Sequence, residues 1–100
     1  VPISGADFAA LADDLAAAPW RDELAAVLTG YFAGPDQVAA AARLVRSLKA
    51  ARPDLLFLCD PVMGDVRADG SAGLYIAAAT AAAIRDDLAP LADILTPNLF

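Results

Sequence analysis

Apolar and polar residues along the 100-residue chain follow two patterns, one typical of amphipathic helices and one typical of buried strands. The helical pattern appears first: Phe8, Leu11 and Leu15 recur at i, i+3 and i+7 and form one apolar stripe. The hydroxyl of Ser4 can cap the free N–H groups of the following turn. These features predict an amphipathic helix over residues 6–17.

Two further helices are predicted later in the sequence. The second begins at Pro35, since proline suits the first helical position, and Pro53 stops it. The third is predicted over 78–88, with Ile84 and Leu88 turned inward. Five apolar residues are expected to form the inner face of the second helix: Val38, Ala41, Ala42, Val45 and Leu48.

Three apolar segments between these helices are interpreted as strands, at about 24–30, 54–60 and 93–96. The middle segment, LLFLC, is continuously apolar rather than alternating. This pattern is typical of a strand that is covered on both faces of a parallel sheet. The glycine-bearing residues that follow it, from Pro61 to about Leu74, are expected to form a loop.

The alternation of helices and strands predicts an α/β fold, with a mostly parallel sheet in a three-layer α/β/α arrangement. No internal repeat or linker divides the sequence, so residues 1–100 are expected to be part of a single domain. The pattern stops just after a strand, where a covering helix would normally follow. We therefore expect the chain to be a piece of a larger protein.

Composition narrows the classes of function. A net charge of −6 with interspersed acids and bases argues against nucleic acid as the main partner. No apolar run approaches the roughly 20 residues of a membrane helix, and no signal peptide is visible, so we expect a cytoplasmic protein without a membrane partner. With one cysteine and no histidine, the chain cannot form an internal disulfide or a Ser-His-Asp triad.

Polar residues concentrate where the three predicted strands end, in TGY at 29–31, CDPVMGD at 59–65 and TPN at 96–98. Parallel strands end at one edge of the sheet, and open α/β sheets bind their ligands there. The connections at the opposite edge, ARPD and APLAD, look ordinary. By spacing alone, Asp60 and Asp65 are either two carboxylates that hold Mg²⁺ or solvated acids in a turn.

The remaining polar residues at this edge have similar alternatives. Tyr31 could pack on a planar ligand or cover the rim of the core. Tyr75 could belong to a mobile flap or have a fixed packing role. Thr96 and Asn98 could donate to phosphate or to a metal-bound water, or serve as turn residues. Cys59 is followed by an acid, and is expected to be an inert buried thiol with a raised pKa.

Taken together, LTGYFAGPDQV, LLFLCDPVMGD, GLYI and LADILTPNLF resemble the middle of the pyridoxal kinases, vitamin B6 salvage enzymes with a ribokinase-like fold. The resemblance extends from about Leu24 to Phe100. It implies transfer of a phosphoryl group from ATP, with Mg²⁺, to the 5′-hydroxyl of pyridoxal, pyridoxine or pyridoxamine. The hydroxymethylpyrimidine kinases are the alternative family, since they share DPVM and TPN. They come second because they lack TGY.

Roles for six residues follow from the resemblance. It assigns Asp60 and Asp65 to the metal and the ATP phosphates, Thr96 and Asn98 to the phosphates, Tyr31 to the pyridine ring, and Tyr75 to a flap over the site.

The family's glycine-rich anion hole and its catalytic base aspartate have no counterpart in this sequence, and neither does the N-terminal part of the substrate pocket. No catalytic residue is therefore assigned, and we expect the chain alone to be inactive. Two non-enzymatic readings stay open, an interaction fragment with unpaired sheet edges and a flavodoxin-like binding domain. Whether the full-length protein is a homodimer also stays open.

Overall fold

The computed structural model describes residues 3–62, 64–66, 72–74 and 77–97, with the backbone alone for 64–66 and 72–74. Among these residues, no helix is long and apolar enough to cross a lipid bilayer. The elements are α1 (Gly5–Ala17), β1 (Ala26–Thr29), α2 (Pro35–Ala51), β2 (Leu56–Cys59), β3 (Gly64–Val66), β4 (Ala72–Leu74), α3 (Ala78–Ala83) and β5 (Ile94–Leu95), with short helical turns at Arg21–Glu23, Ile84–Leu88 and Ala89–Leu91.

Three strands form one parallel sheet in the order β1-β2-β5. Ala26 lies opposite Leu56 at the start of the β1-β2 ladder, and Cys59 lies opposite Leu95 at the end of the β2-β5 ladder. The three predicted strands and their parallel direction are therefore confirmed. Because the strands run the same way, β1, β2 and β5 all end at one edge of the sheet, here called the carboxyl edge.

A small antiparallel hairpin replaces part of the loop expected between Pro61 and Leu74. Its strands, β3 and β4, pair from Gly64 opposite Leu74 to Val66 opposite Ala72. The expectation of a loop throughout this segment was wrong. Four of the six residues in these strands are glycine, aspartate or alanine, which are poor strand formers, so the sequence signal is weak and the strands depend on pairing with each other.

The first helix is capped as expected, since the Asp7 N–H donates a hydrogen bond of 3.1 Å to the Ser4 hydroxyl. Its packing differs from the predicted stripe. Ala12 is buried, whereas the side chains of Leu11 and Leu15 are exposed. α1 packs against α2, and Leu11 and Leu15 line an open apolar groove beside β1 rather than the core.

Replacing Ser4 with alanine should destabilise α1. The hydroxyl satisfies one of the free N–H groups of the first turn, so its loss should lower the free energy of unfolding by about 1 kcal/mol. Urea unfolding of the full-length protein, followed by circular dichroism, measures this change. Ser4→Asp is the matched control, because it keeps an acceptor and should retain nearly all the stability. Equal losses in the two variants would show that the cap is unimportant.

The core lies between α2 and one face of the sheet. All five residues predicted for the inner face of α2 are buried, as are Phe57 and Cys59 of β2. Ile84 and Leu88, in the turn that continues α3, complete the same cluster as predicted. The helices α2 and α3 therefore cover the sheet from the same side.

The opposite face of the sheet is open within the described residues. Leu28 is 71% exposed and Leu56 is 51% exposed, because side chains alternate along each strand and both point away from α2. The expectation that β2 is covered on both faces is thus not met by this part of the chain. Two of the three expected layers are formed here.

Candidate functional site

Asp60 lies at the carboxyl edge, directly after β2, and is exposed. Its N–H donates to the Thr29 carbonyl oxygen at 3.0 Å, which extends the β1-β2 ladder by one bond. Its own carbonyl oxygen accepts from the Val62 N–H at 2.9 Å, so the chain turns within three residues. The backbone of Asp60 is thereby fixed on both sides while the residue remains open to solvent.

Thr96 reaches the same edge from β5. Its N–H donates to the Cys59 carbonyl oxygen at 3.1 Å, and the residue is exposed. Thr96 therefore lies against the last residue of β2, immediately before Asp60. The structure brings together these two predicted site residues, although 36 positions separate them in the sequence.

Tyr31 follows β1 by two residues and is 65% exposed. Together with Leu28 and Phe8, it lines an apolar groove of about 460 Å³ between α1 and β1. An exposed aromatic ring at the mouth of an apolar groove is suited to stacking on a planar ligand. The role of Tyr31 in binding a planar ligand stays a prediction.

The structure does not describe the side chains of three predicted site residues. The backbone of Asp65 lies in β3 opposite Gly73, and its side chain is outside the described part. Tyr75 and Asn98 also lie outside the described residues. The roles assigned to these three residues stay predictions.

The described residues contain no group of three or more histidine, cysteine or acidic side chains that could hold a metal ion. Among the side chains that the structure describes, Asp60 supplies a carboxylate at the end of β2. Mg²⁺ is commonly held by one or two carboxylates, with water and substrate phosphates as its other ligands. An oxygen donor at an open strand end fits such a site in part, provided that phosphates complete it.

Cys59 is the buried neighbour of Asp60, with 1% of its surface exposed. Burial raises the pKa of the Cys59 thiol, the Thr29 hydroxyl on the adjacent strand opposes this shift, and the Asp60 carboxylate adds to it. The predicted raised pKa is confirmed, although burial rather than the neighbouring acid is its main cause. A protonated, buried thiol is a poor nucleophile.

We expect Cys59 to resist alkylation while the protein is folded. Iodoacetamide at pH 8 should modify it at least about tenfold more slowly than in denaturant, because the thiolate is both rare and inaccessible. Mass spectrometry of the peptide containing Cys59 measures the rate. The control places a cysteine on the exposed face of α1, as Ala10→Cys in a Cys59→Ala background. A Cys59 rate equal to that of the control would contradict the expectation.

The edge opposite the carboxyl edge contains a cluster that the sequence did not reveal. Lys49 Nζ lies 2.6 Å from Asp93 Oδ2 and also donates to the Leu55 carbonyl oxygen at 3.0 Å. The Phe57 N–H donates to the same Asp93 oxygen at 2.8 Å. The segment APLAD, which ends at Asp93, looked ordinary because Phe57 and Lys49 lie 36 and 44 residues away from Asp93 in the sequence.

Comparison with known proteins gives several matches to kinases of vitamin B6, whereas no family model matches the chain. A pyridoxal kinase of Bos taurus is 42% identical over 74 residues, which is 74% of this chain and 23% of that protein. A pyridoxine/pyridoxal/pyridoxamine kinase of Bordetella bronchiseptica is 47% identical over 74 residues, or 25% of its length. The pyridoxal kinase PdxY of Corynebacterium diphtheriae is 34% identical over 79 residues, or 26% of its length.

The chain thus spans about a quarter of the length of the curated relatives that it matches. These matches confirm the resemblance predicted from the four sequence segments, and they favour a ribokinase-like fold over a flavodoxin-like one. The parallel sheet with its crossover helices is consistent with part of such a domain.

Proposed function

We propose that this chain, a homologue of the pyridoxal kinases over about three quarters of its residues, is part of an enzyme that phosphorylates vitamin B6. The full-length protein would transfer the terminal phosphoryl group of ATP to the 5′-hydroxyl of pyridoxal, pyridoxine or pyridoxamine. Residues 1–100 would form the central part of a single ribokinase-like domain. The catalytic base would come from a segment outside this chain.

The observation that carries this proposal is the meeting of Asp60 and Thr96 at the carboxyl edge. Thr96 is hydrogen-bonded to the last residue of β2, and Asp60 follows that residue directly. Both are exposed where open α/β sheets bind their ligands. One acid and one hydroxyl at this edge match the needs of a bound metal–nucleotide complex.

Phosphoryl transfer requires positioning and neutralisation of charge more than covalent chemistry by the protein. Mg²⁺, when bound, would be held by Asp60 and Asp65 and would offset the negative charge of the phosphates. Thr96 would donate its hydroxyl to a phosphate oxygen, and Asn98 its amide. The hydrogen bond from the Asp60 N–H to the Thr29 carbonyl oxygen fixes the backbone of Asp60 at the end of β2.

The substrate ring would lie on the β1 side of the same edge. Tyr31 is exposed at the mouth of the apolar groove and presents an aromatic face for stacking. Tyr75 would belong to a flap that covers the bound substrates and excludes water during transfer. This arrangement would place the ring near β1 and the phosphates near β2 and β5.

A substrate comparison tests the proposed function. The full-length protein is incubated with ATP, Mg²⁺ and either a B6 vitamer or hydroxymethylpyrimidine, and ³¹P NMR identifies the phosphorylated product. We expect a 5′-phosphate of pyridoxal, pyridoxine or pyridoxamine, and much slower transfer to hydroxymethylpyrimidine. Preferential phosphorylation of hydroxymethylpyrimidine would replace the proposal with the second kinase class, and transfer to neither would exclude both.

The proposed enzyme would be cytoplasmic, and its partners would be small molecules alone. A supply of ATP and a reduced lone cysteine, Cys59, both suit the cytoplasm. Light scattering of the full-length protein would decide between a monomer and a homodimer.

A further inference from the structure

The strand β5 connects Thr96 to the sheet, yet its own contacts are few. It consists of Ile94 and Leu95 alone, which are 45% and 47% exposed. Its ladder has two paired positions, Leu58 opposite Ile94 and Cys59 opposite Leu95. Within the described residues, side-chain burial therefore does little to fix how β5 lies along β2.

The residue before β5 makes up for this weakness. The Asp93 N–H donates to the Phe57 carbonyl oxygen at 2.9 Å, and the Phe57 N–H donates back to the Asp93 carboxylate at 2.8 Å. Both polar groups of the Phe57 backbone are thus bound by the one residue that precedes β5. In any other register, a residue without a carboxylate would lie at this place, because the neighbours Ala92 and Ile94 are apolar.

Lys49 holds the Asp93 carboxylate from the other side. Its ammonium group lies 2.6 Å from Asp93 Oδ2 and donates to the Leu55 carbonyl oxygen at 3.0 Å. The Lys49 side chain, near the end of α2, therefore binds both Leu55, just before β2, and Asp93, just before β5. The hydrogen bonds from Lys49 and from the Phe57 N–H lower the pKa of Asp93, so the carboxylate is ionised at neutral pH.

We propose that Asp93 and Lys49 form a register clamp that positions Thr96 at the carboxyl edge, in the phosphate-binding role that the proposed function assigns to it. A shift of one residue along a strand moves every later residue by about 3.3 Å and reverses the faces of its side chains. Either change would carry the Thr96 hydroxyl away from Asp60. The clamp lies at the opposite end of β5 from the substrates, so its two members are positioning residues rather than catalytic ones.

A contribution to the free energy of unfolding does not by itself explain the Lys49–Asp93 ion pair. The Lys49 and Asp93 side chains are 21% and 39% exposed, and partly solvated ion pairs contribute little to the free energy of unfolding. A role in register predicts a local effect on β5 and on nucleotide binding instead. This difference separates positioning from general stabilisation.

The test uses the full-length protein with Lys49→Met, Asp93→Ala and the double variant. Lys49→Met keeps the aliphatic stem and removes the charge. Asp93→Asn is a milder variant, since its amide oxygen can still accept from the Phe57 N–H, and it serves if Asp93→Ala fails to fold. The matched control is Asp86→Ala, which breaks an exposed ion pair of 2.7 Å with Arg85 in the turn Ile84–Leu88, outside β5.

The first readout is amide hydrogen exchange of residues 93–96, which does not depend on activity. We expect exchange to rise at least about tenfold in Lys49→Met and Asp93→Ala, with a smaller rise in Asp93→Asn, because β5 is released locally. Asp86→Ala should leave it unchanged. Unaltered exchange in Asp93→Ala, or in Asp93→Asn where that variant stands in for it, would overturn the clamp.

The second readout is kinetic. We expect the KM for ATP to rise about five- to tenfold while the KM for the B6 vitamer stays within about twofold, since only the phosphate side is displaced. The double variant should resemble the worse single variant, because the two residues act as one unit. Equal changes in both KM values would indicate a general structural role and contradict the proposal. If the wild-type protein phosphorylates no vitamer, the proposed function fails while the exchange readout still decides the clamp.

Discussion

Replacing Asp60 with asparagine in the full-length protein should lower kcat by one to three orders of magnitude and raise the Mg²⁺ concentration needed for activity. The amide keeps the shape and one oxygen ligand but removes the negative charge that would hold the metal against the phosphates. Charge stabilisation by the metal acts on the transition state, so the loss should appear in kcat as well as in binding. The expected range corresponds to about 1.4–4 kcal/mol in activation free energy.

Steady-state kinetics over a Mg²⁺ titration, beside thermal melts, measure this effect. Asp54→Asn is the matched control, because Asp54 is an exposed acid just before the other end of β2, where it faces Arg52 at 3.6 Å. The control should change neither kcat nor the Mg²⁺ dependence, and both variants should melt within a few degrees of the wild type. Unchanged kinetics in Asp60→Asn would reduce this residue to a solvated acid in a turn.

The largest effect on stability is expected at Phe57, the central side chain of the core. Phe57 is fully buried at 0% exposure, between α2 and the turn that follows α3. Truncation to alanine removes a ring from a closely packed cluster and leaves a cavity. We expect Phe57→Ala to reduce the free energy of unfolding by about 3–5 kcal/mol.

Urea unfolding of the full-length protein at constant pH measures this loss. Phe57→Leu is the matched control, since leucine fills most of the same space and should cost about 1 kcal/mol. The contrast between the two variants separates lost volume from lost aromatic character. Equal and small losses would show that the cluster around Phe57 repacks easily and is not the centre of the core.

Local signals in the sequence were sufficient for the main elements. The hydroxyl of Ser4, the proline at Pro35 and the periodic apolar residues of α2 each act over one or two helical turns, so the helices could be predicted near their true bounds. The strands were visible as apolar runs between them. Their parallel order followed from the alternation of strands with crossover helices.

Features that depend on distant partners could not be predicted in the same way. The hairpin of β3 and β4 exists because two weak strand formers pair with each other. The continuous apolar run of β2 suggested cover on both faces, yet Leu56 is half exposed in the part of the chain that is described. A run of apolar residues shows that a face can be buried, but not which segment buries it.

The candidate site likewise has features that could be predicted from the sequence and features that could not. The meeting of Asp60 and Thr96 could be predicted, because the ends of parallel strands must share an edge. The bonds that join Lys49 and Asp93 could not, since these residues are 44 positions apart and each resembles an ordinary surface charge. Positioning residues of this kind are recognised only when the backbone groups they bind are known.

We propose that the carboxyl edge beside Asp60 binds a metal–nucleotide complex. A crystal structure of the full-length protein with Mg²⁺ and a non-hydrolysable ATP analogue tests this directly. We expect the metal at the end of β2, with the Asp60 carboxylate either bound to it at about 2.0–2.1 Å or hydrogen-bonded to one of its waters, and with a phosphate oxygen near Thr96. A nucleotide bound elsewhere, with its metal and phosphates away from the ends of β2 and β5, would exclude this edge as the nucleotide site.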